Sequence, residues 1–178
     1  MRNLFLISLF RPTLVLLLLL MVDSAAAGTF TETDKSVRSI VSGIVSYTRW
    51  PAPAGQPKLC IYASSHYTKA LSSTEGQSEL PYTPVIVRND REALAATCDA
   101  VYFGAESPAK QLELISQYQG RALLLISEQN PECVIGSAFC LVIDRDQVKF
   151  SVNLDVLSRS GVRVNPDVLM LARNTKHE

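Results

Sequence analysis

Four short apolar runs, each followed by a segment of helical pattern or by a hairpin, constrain this chain more than any other feature. They are Lys58–Ala63, with Leu59, Ile61 and Tyr62 around Cys60, then Thr83–Val87, Ala100–Phe103 and Ala122–Ser127. Each is too short for a stable helix and has strand length. In the last of them Leu123, Leu124, Leu125 and Ile126 follow one another with no polar residue between. That is the pattern of a strand buried on both faces, as in a parallel sheet covered by helices. Segments of helical character separate the runs: His66–Leu71, Asp90–Ala96 and Pro108–Tyr118. Pro108 can open the third at the first helical position, where a missing N–H costs nothing. After residue 127 the pattern changes. Phe139–Ile143 and Val148–Val152 flank Asp144-Arg145-Asp146-Gln147 and read as a β-hairpin. The expectation is an α/β fold: a single domain with a mainly parallel central sheet flanked by helices, plus a C-terminal β-hairpin.

The ends of the domain are helical. Over Thr31–Tyr47 the residues Val37, Ile40, Val41, Ile44 and Val45 recur at helical spacing. Thr31 or Thr33 can cap the first N–H groups, and Glu32 and Asp34 sit where the helix dipole favours negative charge. Trp50-Pro51 stops regular structure, and Pro51–Gly55 is a loop. Ser72–Ser78, polar and containing Gly76, reads as another loop. Asn153–Leu157 and Pro166–Arg173 read as helical.

Arg2 and Arg11 precede an apolar run, Leu14–Val22, and Ala25-Ala26-Ala27 offers small residues ahead of Gly28. Basic, apolar, small is the order of a secretory signal peptide. A run of nine residues is too short to span a bilayer, which takes about 20. Residues 1–27 are therefore expected to be a cleaved leader and residues 28–178 the exported domain. The whole chain has 17 basic and 17 acidic side chains. The leader takes Arg2, Arg11 and Asp23, leaving a formal charge of −1. Nothing in that balance calls for nucleic acid as a partner. Cys60, Cys98, Cys133 and Cys140 all lie in the exported part. An even count there favours disulfides. Four cysteines allow three pairings, and spacing does not choose among them. A local Cys133–Cys140 bridge is feasible, because six intervening residues can bend back, and it would leave Cys60 with Cys98.

Catalytic signatures are missing. The sequence has no phosphate-binding glycine loop, no dinucleotide fingerprint, no nucleophile elbow and no H-E-x-x-H. Of the two histidines, His177 is the penultimate residue, so His66 alone would have to serve any Ser–His or Cys–His chemistry. The cysteines lack the paired spacing of a zinc site, and neither a metal nor a cofactor is expected. Asp144 and Asp146 suit the solvated turn of a hairpin better than a catalytic pair. Trp50 suits a core or interface anchor. Ser158-Arg159-Ser160-Gly161-Val162-Arg163 offers two guanidinium groups among small residues, fit either for an acidic partner surface or for solvent.

Two blocks carry a resemblance. Ile40–Pro51, read Ile-Val-Ser-Gly-Ile-Val-Ser-Tyr-Thr-Arg-Trp-Pro, with Lys58-Leu-Cys-Ile-Tyr62 after it, resembles the opening of the YfiR family of periplasmic proteins. Val148–Asp155 and Leu157–Ala172 resemble that family's closing signature. The resemblance implies a periplasmic repressor that binds the sensor domain of an inner-membrane diguanylate cyclase and lowers cyclic di-GMP, with effects on biofilm and motility. It implies sequestration by an OmpA-type outer-membrane lipoprotein, a homodimer, and two disulfides. By position these are Cys60–Cys98 and Cys133–Cys140. It places Arg159 and Arg163 in the partner-contact segment. In some relatives a ligand pocket pairs an arginine with a histidine here. Asn165 stands where that histidine would fall, which puts small-ligand binding in question. The disulfides are a candidate redox input.

The reading is a binding protein without enzymatic activity. Two rivals stand beside it: a small-molecule sensor of the same fold, and a periplasmic hydrolase with unrecognised active-site residues, which loss of turnover on His66→Ala would favour.

Overall fold

The computed structural model describes residues 30–51, 55–74, 79–118, 120–145 and 147–172. The expected leader, parts of the two loops at 52–54 and 75–78, Asp146, Arg173 and His177 lie outside the described residues.

The chain opens with α1, Glu32–Ser46. Thr31 caps it: its hydroxyl accepts from the Asp34 amide, and the Asp34 carboxylate accepts from the Thr31 amide in return. That reciprocal box satisfies two amides that the first turn would otherwise leave unpaired. Then come β1 (Thr48–Arg49), β2 (Lys58–Tyr62), α2 (Thr68–Ser72), β3 (Thr83–Val87), α3 (Asp90–Ala96), β4 (Ala100–Phe103), α4 (Pro108–Gln117) and β5 (Leu124–Ser127). The hairpin β6 (Phe139–Asp144) and β7 (Gln147–Val152) follows, then α5 (Leu154–Arg159), β8 (Arg163–Val164) and a 3-10 helix, Pro166–Ala172. Pro108 is in the first turn of α4, as its fixed φ favours, and Ser107 caps that helix.

Six strands form one sheet in the order β3-β2-β4-β5-β6-β7. The first four pairings are parallel and the hairpin pairing β6–β7 is antiparallel. The α/β class and the mainly parallel sheet are as the alternation of runs and helices requires. β2 lies between β3 and β4, so the order of connection reverses there.

Strand residues alternate between two cores. Leu59, Ile61, Tyr102, Leu124 and Ile126 meet Val37, Ile40, Val41, Ile44 and Val45 of α1 on one face. Cys60, Val101, Phe103 and Leu125 meet Ala93 of α3 and Leu114 of α4 on the other. Ile44 and Leu124 have no solvent exposure. Truncating either to alanine removes about 2–5 kcal/mol, transfer and cavity terms together.

Besides Ser72, which ends α2 rather than opening a loop, and β5, which begins at Leu124 rather than Ala122, the structure departs from the sequence reading in three places. Residues 66 and 67 make a turn and α2 starts only at Thr68. The His66 amide is drawn away to the Glu128 carboxylate (3.0 Å), and the Tyr67 amide donates to Ser65 Oγ (3.0 Å). Asn153 caps α5 rather than belonging to it, its side chain accepting from the Val156 amide. The ribbon β1–β8 has no counterpart in the sequence pattern. Strands of two residues carry no periodicity to read.

Candidate partner-binding surface

The ribbon joins the two ends of the domain. Thr48 is buried and its hydroxyl donates to the Ile44 carbonyl (2.7 Å), which pins β1 to the last turn of α1. The Asn165 amide donates to the Tyr47 carbonyl (2.9 Å). Between these anchors Thr48 faces Val164 and Arg49 faces Arg163. Residues directly opposed in an antiparallel pair project to the same side. Arg49 and Arg163 are both exposed, and neither makes an ion pair among the described residues. Like charges so placed are destabilising by up to about 1 kcal/mol. A carboxylate-bearing partner would relieve that repulsion and accept charge-assisted hydrogen bonds from both.

Arg159 is placed differently. It ends α5 and pairs with Asp155 one turn earlier (2.5 Å), both side chains well exposed. Such a pair stabilises a helix by about 0.3–0.5 kcal/mol. Arg159 therefore faces solvent beside the cleft between α4 and α5, whereas Arg163 sits on the ribbon with Arg49. The segment that contains both arginines carries them on two different elements. Large apolar side chains stand exposed nearby in sequence: Leu154 on α5, and Leu169 and Met170 on the 3-10 helix.

Both cysteine pairs are bonded. Cys60 of β2 joins Cys98 just before β4, with Cα atoms 5.8 Å apart, inside the core that α3 and α4 cover. Cys133 joins Cys140 of β6, also at 5.8 Å, closing the loop ahead of the hairpin. The Asn153 amide group reaches that loop and donates to the Cys133 and Val134 carbonyls (3.0 and 2.7 Å). The disulfide loop is thereby tied to the start of α5.

At the C-terminal ends of β2, β4 and β5 lies a polar knot. Glu128, buried, accepts from Ser65 Oγ (2.8 Å), the His66 amide (3.0 Å) and Tyr102 Oη (3.1 Å), and its Oε1 is 2.9 Å from His66 Nδ1. Burial, then the neighbouring Glu128 charge, pushes the Tyr102 phenol well above its ordinary range. Gly104 makes the close approach possible, because a Cβ there would fall 2.3 Å from the Ser65 nitrogen. Ser, His and a carboxylate thus meet, but not as a relay. Hydroxyl and imidazole both end on the same carboxylate, and Ser65 is buried with its hydroxyl donated away. A triad needs the imidazole between nucleophile and acid. The knot is a structural anchor for the β2–α2 loop. Among the described residues no cluster of three or more His, Cys, Asp or Glu side chains is arranged to hold a metal. Asp144 ends β6 at the hairpin turn, and Trp50 packs half-buried against the main core.

Sequence reasoning singled out Arg159 and Arg163 but passed over Arg49 and Glu128. Arg49 stands inside the quoted opening block, yet only the ribbon pairs it with Arg163. Glu128 follows an apolar run and looks like an ordinary strand end.

A family model described as YfiR/HmsC-like matches residues 34–173, from the first turn of α1 through the 3-10 helix.

Proposed function

The chain belongs to the YfiR/HmsC-like family, and from that premise we propose that it is an exported repressor that binds the periplasmic sensor domain of an inner-membrane diguanylate cyclase. Binding holds the cyclase's catalytic domain inactive, so cyclic di-GMP falls. The observation that carries this reading is the pair of guanidinium groups, Arg49 and Arg163, without a counter-charge among the described residues and presented on one side of a ribbon anchored at both ends. A rigid scaffold with exposed donors and a knot that cannot act as a relay suits recognition better than turnover.

Repression by binding requires unequal affinity. The protein must hold the inactive sensor conformation more tightly than the active one, since equal affinity would shift nothing. A preference of about 100-fold, or roughly 2.7 kcal/mol, moves a balanced equilibrium to 99% inactive. A few charge-assisted hydrogen bonds that form in only one conformation supply that much. An OmpA-type outer-membrane lipoprotein that competes for the same surface would release the cyclase. Cleavage before Gly28, action as a homodimer and a redox input through the disulfides complete the reading.

The test is cellular cyclic di-GMP with and without this protein, in strains with and without the candidate cyclase. The reading expects removal to raise the nucleotide only where the cyclase is present. A rise in both backgrounds, or in neither, sinks it. Arg49→Glu with Arg163→Glu should reproduce the deletion without loss of the folded protein. Wild-type repression by that double variant would move the contact surface elsewhere.

A further inference from the structure

The cleft between α4 and α5 has the composition of a ligand site separate from the arginine ribbon. It encloses about 420 Å³, within the range of small-molecule pockets. Its floor is apolar: Leu123 and Leu125 from the entry of β5, Leu112 and Ile115 from α4, and Val156 from α5. Leu112 is 41% exposed, although it belongs to a helix that buries Leu114 completely. Two guanidinium groups, Arg121 and Arg159, stand among the lining residues, and among the described residues no carboxylate does.

The two arginines are not equivalent. Arg159 is paired with Asp155. Arg121 makes no ion pair among the described residues, and its guanidinium lies over the Tyr118 ring, 5.7 Å from the centroid. That ring is fixed from behind: Tyr118 Oη accepts from the Cys98 amide (2.9 Å) and donates to the Ala93 carbonyl (3.1 Å). Cation–π contact holds one face of the guanidinium and leaves its in-plane donors free. The opposite wall is fixed too, because the Leu123 amide donates to the Ser160 carbonyl (2.8 Å). Gly161 allows that segment to pack closely against Ala122. Its φ is +77°, and a Cβ would meet Ala122 at 3.1 Å.

We propose that this cleft binds a small amphiphilic carboxylate, its apolar body on the Leu123–Leu125 floor and its carboxylate on Arg121. A planar fork of donors above an apolar floor fits one carboxylate at the end of a hydrocarbon body. A wholly polar solute would lose its hydration against leucine and isoleucine with nothing in return. The site is independent of the partner reading, because it concerns this chain alone.

The test is calorimetric titration of the purified protein with decanoate, and with 1-decanol as the uncharged counterpart. Saturable one-site binding of decanoate is expected, at least tenfold tighter than decanol. Arg121→Gln should weaken decanoate at least fivefold and leave decanol unchanged. Leu112→Glu, an exposed position that tolerates charge, should abolish decanoate binding without lowering the melting temperature by more than a few degrees. Arg88→Gln, at the distant end of β3, should change nothing. Absence of saturable binding overturns the proposal, as does equal decanoate affinity in wild type and Leu112→Glu. Equal affinity for acid and alcohol overturns it as well.

Discussion

Arg49 and Arg163 stand directly opposite each other in a ribbon of two residues per strand, though they come from opposite ends of the described chain. With no counter-charge among the described residues, their repulsion is part of the folded state. Arg163→Gln should therefore leave stability unchanged or raise it, by up to about 1 kcal/mol at low salt. The gain should fade at high salt, where the screening length shrinks to about 3 Å at 1 M. Urea unfolding at two salt concentrations measures it. A clear loss of stability would mean that Arg163 serves the fold.

The two disulfides differ in what they constrain. Cys60 and Cys98 are 38 positions apart, Cys133 and Cys140 only 7. In the chain-entropy model the long bridge stabilises by about 4 kcal/mol and the short one by about 2.5 kcal/mol. Cys60→Ser should lower the unfolding free energy more than Cys133→Ser. Access runs the other way. Cys60 and Cys98 have no exposure, while Cys133 keeps 8% and adjoins the exposed Val134 and Ile135. Under graded reductant Cys133 and Cys140 should be alkylated first. Mass spectrometry of the trapped thiols checks the order, and simultaneous loss of both bridges would mean that burial does not protect the long one.

Buried phenols set the alkaline limit. Burial pushes Tyr82 up to about 12, and Tyr62, Tyr102 and Tyr118 move in the same direction, each chiefly by burial. A raised value means that the folded state keeps its proton longer than the unfolded chain, whose tyrosines titrate near 10. Below about pH 10 both states are protonated and the full stability is present. Above it the unfolded chain loses protons first, so stability falls as pH rises toward 12 and beyond. Tyr82 alone accounts for about 2–3 kcal/mol of that loss. Unfolding midpoints at pH 8, 10 and 11 should drop steeply only over the last interval. Tyr82→Phe should flatten the drop while costing about 1 kcal/mol at pH 8, since its hydrogen bond to the Leu71 carbonyl disappears. A pH profile identical to wild type would contradict the assignment.

Glu128 holds together the loops after β2 and β5. Glu128→Ala would strand the donors of Ser65 and Tyr102 in a buried site, at about 3 kcal/mol or more. His66→Ala, with its ring largely exposed, should cost under about 1 kcal/mol. Chemical denaturation of both variants measures the difference. Comparable losses would mean that the imidazole matters to the knot as much as the carboxylate does.

The class of fold was legible because its signal is local and repeated. A run such as Leu123–Ile126 with no polar interruption has few destinations other than a covered parallel strand, and the helix faces repeat at their own period. The proline opening α4 and the hairpin were legible for the same reason, each a short-range pattern with a short-range cause, whereas only the structure chose Thr31 over Thr33 as the cap of α1.

What the sequence by itself determined was thus the order and type of the longer elements, the mainly parallel sheet and the family to which the chain belongs. Tertiary structure alone decided which side chains meet. It set Arg49 against Arg163, drew His66 and Ser65 to one carboxylate, delayed the start of α2, and put Arg121 and Arg159 on a shared cleft. These contacts join residues far apart in the chain, through strands of two residues and loops without period. Local pattern fixes each backbone segment's own conformation, but only the packing of the sheet between its two cores brings distant charges to the same place.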